Sequence, residues 1–303
     1  MNEVLLMKKL VCVILSLILC MSCACATATE ANIPEVKWEH PLPLMEVQSD
    51  YTMLVNADHL LDKSFKPDPQ VKVTGIKRAT SAAVYMEKTA AEALKKMFAA
   101  AALVTEYNYV GADGKTKLAQ YGEDGMVLYL KSGYRSYGTQ ATVYANYLDR
   151  NNGVDDGYVA KPGSSEHQSG LCADILNADY AGRPTMTQDF KWTPEAQWMK
   201  ENCAEFGFIL RYTEEAEETT GIKFEPWHFR YVGESVAAYI MAKEITLEEY
   251  TEEINAALAD FEERGGDSED QIAYEFKKMN KPPETFVLDE YGEDGDAEVS
   301  LVF

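Results

Sequence analysis

The stretch Ser165-Glu166-His167-Gln168-Ser169-Gly170-Leu171-Cys172-Ala173-Asp174 decides how the rest of this chain is read. It starts polar, crosses a Ser-Gly pair, and runs apolar to an aspartate on a predicted strand, Leu171 to Leu176. Residues seven apart on a straight strand face opposite ways. His167 and Asp174 therefore converge only if the chain turns between them, which Ser169-Gly170 permits. A second stretch of similar character follows, Glu225-Pro226-Trp227-His228-Phe229-Arg230-Tyr231. On a regular strand Glu225 and His228 would also diverge. Pro226 interrupts ladder pairing and predicts a bulge or an edge strand, which lets both approach one site.

The chain holds four histidines, His40, His59, His167 and His228, and the last two sit beside carboxylates in these stretches. Zinc in a hydrolytic site takes three protein ligands from His and Asp or Glu and leaves a fourth position to water. His167, Asp174 and His228 supply that set for one Zn2+ per chain, and Glu225 remains free to take a proton from water. A structural pair of histidine and acid is the competing reading of either stretch alone. Two separated stretches that together complete a ligand set weigh against it.

Working outward, Met126 to Lys131 (MVLYLK) predicts a strand, and Val143, Tyr144, Tyr147 and Leu148 mark a helix after it. Asn151 to Gly163 is a polar loop leading into the first stretch. Upstream, an alanine-rich helix is predicted from Ser81 to about Val104, with Leu94, Met97, Phe98 and Ala101 forming its apolar stripe. Downstream, Thr193 and Pro194 open a helix that stops by Gly207, followed by strands at Phe208 to Arg211 and Trp227 to Val232. A short helix comes next, and Thr246-Leu247-Glu248-Glu249 is a capping box opening an acidic helix to about Arg264. Four domain segments result: a signal peptide over 1–28, an extended lead-in over 29–70 rich in proline, a catalytic domain over 71–250, and an acidic helical or disordered tail over 251–303. The tail includes a predicted helix near Gln271 to Lys278 and the charge run Asp289 to Glu298.

The 303 residues are 46% hydrophobic, enough for one substantial core. A formal charge of -22 argues against nucleic acid or anionic lipid as a partner through a basic surface. Lys8 and Lys9 precede an apolar run from Leu10 to about Cys20, and Ala26-Thr27-Ala28 offers a cleavage site. This predicts export to the extracellular, cell-wall side of the membrane; an uncleaved signal would leave a membrane tether. Of the six cysteines, Cys12, Cys20, Cys23 and Cys25 lie in that segment, so only Cys172 and Cys203 remain and no disulfide framework is expected.

SEHQSGLCAD and EPWHFRYVG resemble the two signature segments of the VanY-type D-alanyl-D-alanine carboxypeptidases, zinc peptidases grouped with lysostaphin-type enzymes and the Hedgehog fold. Leu54-Val55-Asn56, Ser132-Gly133-Tyr134-Arg135-Ser136 with Gln140, and Thr220-Gly221-Ile222 extend the resemblance over about Leu54 to Tyr250. It implies an α+β fold with a small antiparallel sheet of about four strands carrying the zinc site and helices on its other face. It further implies zinc ligation by His167, Asp174 and His228, with Glu225 as base. Arg135 would grip a substrate carboxylate or the developing oxyanion, and Gln140 and Ser165 would contact the terminal carboxylate. Gln140 could instead simply begin a helix, and Ser165 cap a turn. Trp227 and Tyr231 flank His228 and either line the pocket or pack in the core. Cys172 departs from the family, where alanine is usual; alternation puts it on the face of Asp174, near the metal or packed beneath it.

The substrates implied are peptidoglycan stem peptides ending in D-Ala-D-Ala, with no stable protein partner. An L,D-carboxypeptidase, a peptidoglycan endopeptidase and, in a different class, a non-catalytic wall-binding protein are the alternatives. Serine acyl-transfer enzymes need Ser-x-x-Lys with Lys-Thr-Gly, and neither motif occurs. A cysteine peptidase built on Cys172 would leave Asp174 and Glu225 without roles.

Overall fold

The computed structural model describes residues 33–280. The expected signal segment, the Ala26-Thr27-Ala28 site and the charge run Asp289 to Glu298 lie outside the described residues. Within the lead-in, Leu44–Val47 forms one helical turn and Asp50–Thr52 a 3-10 turn, so this stretch is less extended than its prolines suggest.

β1 (Gln70–Lys72) pairs antiparallel with β2 (Tyr85–Glu87), and α1 (Lys88–Ala101) follows without a loop. The carboxylate of Glu87 caps α1 by accepting from Ala90 N at 2.9 Å. The predicted stripe Leu94, Met97, Phe98 and Ala101 is buried, but the helix starts later than expected because residues 85–87 are spent on β2. A hairpin of β3 (Glu106–Val110) and β4 (Thr116–Gln120) comes next; nothing in the sequence reading anticipated it. β5 (Tyr129–Ser132) begins three residues beyond the predicted start. The Met126 N–H is used on the carbonyls of Ala101 and Val104, which ties that residue to the end of α1 instead of to a ladder.

α2 (Tyr137–Arg150), β6 (Cys172–Leu176), α3 (Pro194–Asn202), β7 (Phe208–Leu210) and β8 (His228–Tyr231) complete the central region. α3 starts as predicted: the Thr193 side chain accepts from Ala196 N and Pro194 is the first helical residue. The four strands form an antiparallel sheet in the order β5-β6-β8-β7, and with the two smaller ribbons the architecture is α+β. β8 is an interior strand. The expectation that Pro226 makes an edge or a bulge is therefore wrong; Pro226 lies in a turn before the strand, where no ladder bond is asked of it.

Period-two alternation gives the sheet two chemistries. Leu130, Ala173, Ile175 and Phe229 point into a core shared with Leu94, Met97 and Phe98 of α1. Burying each large side chain there is worth about 1.5–3 kcal/mol. On the opposite face, β6 and β8 carry Cys172, Asp174, His228 and Arg230.

α4 (Glu234–Lys243), α5 (Leu247–Glu263) and α6 (Ser268–Met279) close the described chain. The capping box at Thr246 and Glu249 forms in both directions. The predicted boundary between residues 250 and 251 falls inside α5, whose Tyr250, Ile254 and Phe261 join Leu42, Leu44 and Val47 of the lead-in and Val236 and Ile240 of α4 in a second core. Glu275 on α6 accepts the backbone N–H groups of Leu44 and Met45, both at 3.0 Å. α6 is thus tied to the lead-in through Glu275, while its last turn is solvent-exposed at Phe276 and Met279. No helix among the described residues is long and apolar enough to cross a membrane.

Candidate active site

Register brings the expected residues together. Asp174 on β6 is the direct cross-strand partner of His228 on β8, so their side chains leave the sheet side by side. His167 reaches the same place through the turn Glu166–Ser169 and Gly170, whose left-handed φ of 73° makes the turn that the Ser-Gly pair permits. His167 Nε2 lies 3.3 Å from Asp174 Oδ2, and His228 Nδ1 lies 3.2 Å from Asp174 Oδ1. Glu225 arrives by a tight turn in which His228 N donates to Glu225 O at 3.1 Å, putting its carboxylate 3.6 Å from His228 Nδ1.

Hydrogen-bond partners place one proton on each imidazole. His167 Nδ1 is 2.6 Å from the carbonyl oxygen of Gly133, which can only accept, so Nδ1 carries a proton and Nε2 is the nitrogen turned toward Asp174. His228 Nε2 is 3.3 Å from Glu166 Oε2. Burial alone would raise the Glu166 pKa, but the charges of Arg211 and Arg230 outweigh it and hold the carboxyl well below its ordinary range. As an ionised acceptor it fixes a proton on His228 Nε2 and leaves Nδ1 facing Asp174. Two imidazole nitrogens turned toward one carboxylate make a donor set that, once those nitrogens are unprotonated, fits a divalent metal.

The Glu166 network is extensive. Its Oε1 accepts from Arg211 Nε and from Arg230 Nη1, each at 2.8 Å. Arg211 then makes a bidentate pair with Glu248 on α5, at 2.8 and 2.6 Å. Arg230 donates to the carbonyls of Tyr51 and Met53, which ties the lead-in to the site. Both arginines are buried. The sequence reading passed over all of this. A signal existed, since an arginine in each of two apolar predicted strands requires a buried carboxylate partner.

Glu225 differs from Glu166. Burial pushes its carboxyl up to about 7; Asp174 adds to the shift, while His228, His167 and Arg135 oppose it. A carboxyl poised near neutrality can take a proton and return it. Its side chain is 15% exposed, against 3% for Asp174 and His228, so it is the member of the group that meets incoming solute.

Arg135 sits at the rim, with its backbone N–H on the His167 carbonyl at 2.9 Å and its Nη1 donating to Gln140 Oε1 at 2.8 Å. Gln140 is buried, and its Nε2 donates to Ala160 O at 2.6 Å. Both ends of its amide are thus engaged, and its oxygen holds the Arg135 guanidinium. Ser165 is buried at the start of the 166–169 turn and makes no side-chain cap bond there. Of the two readings of Trp227, the structure has its ring packed in the main core, and its indole N–H finds no acceptor among the described residues. Tyr231 is likewise core, edge-on to Tyr51 and Phe208. The ring of Tyr212, which nothing in the sequence singled out, lies 4.9 Å from that of His228 and borders a hollow lined by Asn56, Lys161, Ser164 and Ile222.

A proton-accepting carboxyl beside a cation-binding cluster, with a guanidinium at the rim, is the equipment of a hydrolase. Residues 110–234 match the family model described as VanY, D-alanyl-D-alanine carboxypeptidase. The putative carboxypeptidase YodJ of Bacillus subtilis (strain 168) is 31% identical over 225 residues, 73% of this chain and 74% of that one. A D-alanyl-D-alanine carboxypeptidase of Enterococcus faecium is 39% identical over 121 residues, covering 40% of this chain and 35% of its own. Among solved structures, the LdcB LD-carboxypeptidase superposes with a TM-score of 0.54 at 33% identity, over 66% of this chain and 84% of that one. The chain belongs to the VanY family of D-alanyl-D-alanine carboxypeptidases.

Proposed function

We propose that this chain is a zinc carboxypeptidase that hydrolyses the terminal D-alanine from peptidoglycan stem peptides ending in D-Ala-D-Ala. The observation that carries the reading is the convergence of the His167 Nε2 and His228 Nδ1 atoms on Asp174, with the Glu225 carboxyl beside them. His167, Asp174 and His228 would hold one Zn2+, and the four-stranded sheet is the frame that supports it. When bound, the ion supplies Lewis acidity toward the scissile carbonyl and toward water.

The chain's own residues do the rest. Glu225 takes a proton from the attacking water and passes it to the amine of the departing D-alanine, a shuttle its near-neutral pKa suits. Arg135, aimed by Gln140, stabilises negative charge on the substrate. Ser165 opens the turn that carries His167, which supports its reading as a contact of the terminal carboxylate. Glu166 keeps His228 in the tautomer that presents Nδ1. The Lys8-Lys9 lead, the apolar run after it and Ala26-Thr27-Ala28 support export to the cell-wall side of the membrane, where this substrate lies.

Mass spectrometry of defined muropeptides incubated with the zinc-loaded protein tests the reading. Loss of one alanine from a pentapeptide and none from a tetrapeptide is expected. Trimming of the tetrapeptide alone would replace it with an L,D-activity. A Glu225→Ala protein that still binds zinc and trims at the original rate would remove the catalytic assignment altogether.

A further inference from the structure

Cys172 stands two residues before Asp174 on β6, so both side chains leave the same face of the strand. Its cross-strand partner is Arg230, the next same-face residue after His228 on β8. The sulfur is fully buried and forms no disulfide; the other described cysteine, Cys203, is also free and packs in the core below the sheet. His167, Cys172 and His228 each present a ligand atom, and the three atoms lie within 4.8 Å of one another. The triplet Asp174, Glu225 and His228 meets the same criterion, and the two sets share His228. Ligand atoms around one tetrahedral zinc stand about 3.5 Å apart, so small side-chain shifts bring either triplet onto an ion.

We propose that Cys172 is a further protein ligand of the same metal, so that the site has a closed form in which His167, His228 and the Cys172 thiolate are all bound. This rests on the zinc reading above. Ligation requires the thiolate, and the thiol proton leaves to solvent as the metal binds. A soft sulfur donor in an otherwise imidazole and carboxylate set shifts the site toward thiophilic ions, zinc and cadmium over magnesium or manganese. Four protein ligands also define the make-up of closed zinc sites, whereas catalytic ones keep a position open. Cys172 therefore has a physical means of retaining the metal between turnovers.

The test uses the purified protein in two metal forms. Loaded with cobalt(II), the unmutated protein is expected to show a thiolate-to-metal charge-transfer band in the near ultraviolet, absent from Cys172→Ala at equal metal stoichiometry. X-ray absorption on the unmutated zinc form is expected to show a sulfur neighbour at about 2.3 Å, a readout that needs no variant to fold. Competition with a chromogenic chelator should show Cys172→Ala holding zinc roughly tenfold or more weakly. One bound metal with neither band nor sulfur shell overturns the inference and leaves the zinc reading standing. Failure to bind one equivalent of either metal overturns both.

Discussion

Three charged side chains meet at Glu166 in a place with almost no water: the carboxylate, Arg211 and Arg230 are each at most 2% exposed. Desolvating them costs several kcal/mol per ion, which only well-made hydrogen bonds offset. Oε1 serves both arginines and Oε2 faces His228 Nε2, so both oxygens are committed. Glu166→Gln keeps the shape but removes the charge, leaving two buried guanidiniums short of an anion. The expected cost is about 3–5 kcal/mol, which at about 2–4 °C per kcal/mol lowers the midpoint by roughly 10 °C; thermal unfolding monitored by circular dichroism measures it. Glu225→Gln should behave in the opposite way. Burial holds the Glu225 carboxyl near 7, so a neutral amide removes little native-state stabilisation, while kcat should fall by about 100- to 10,000-fold. A Glu225→Gln protein with unaltered kcat on a D-Ala-D-Ala peptide would refute the shuttle. The contrast also explains what could be read from sequence at this scale. Glu225, His167, Asp174 and His228 stand in short stretches of marked composition. The partners of Glu166 lie 45 and 64 residues away, and no local pattern joins them.

Elements position these groups through register and through backbone contacts that leave no room for a side chain. Gly133 follows β5, and its carbonyl holds His167 Nδ1; a Cβ on it would stand 2.6 Å from Tyr85 O and 2.9 Å from Met86 Cγ. Gly133→Ala must push β5 away from β2 and carry the acceptor of His167 and the neighbouring Arg135 with it. A 10- to 100-fold loss of zinc affinity is expected, read by chelator competition. Gly138→Ala on α2 meets nothing within 4 Å and serves as the control; there alanine should add up to about 1 kcal/mol of stability. Elements that declare themselves by local chemistry were legible: Thr193 with Pro194 for α3, the capping box for α5, and Gly170 for the turn into β6. The β3–β4 hairpin was not, because it packs only one face and that one partially. Tyr107 and Tyr109 are half-buried while Val110 and Leu118 are exposed, so its apolar pattern does not follow its burial. Glu225 reaches His228 by a route other than the one expected. The sequence predicted a bulge at Pro226, whereas the chain makes a turn that uses the His228 N–H before the ladder begins.

At the scale of the whole molecule, two of the connections between the C-terminal helices and the rest differ in what they support. Glu275 on α6 accepts from Leu44 and Met45, fastening the lead-in through its backbone. Glu248 on α5 accepts from Arg211, which holds Glu166, which faces His228. The second connection is a continuous line of charge from a surface helix to the site, and Asn56 of the lead-in also donates to Glu248 at 3.1 Å. Glu248→Gln should therefore cost about 3 kcal/mol, or roughly 6–12 °C in midpoint, and should also weaken zinc retention, because Glu166 is left to balance both arginines. Ending the chain at Gly265 removes α6 but keeps Glu248. It should lower the midpoint by uncovering Leu44 and its neighbours while leaving the zinc content at one per chain. Ending it at Ile245 removes Glu248 as well and should yield protein that loses zinc to a chelator under conditions where the Gly265 form keeps it. Metal analysis after dialysis, alongside scanning calorimetry, separates the two. If the Ile245 form retains its zinc as firmly as the full chain, the charge line carries no support to the site and α5 serves only to cover the second core.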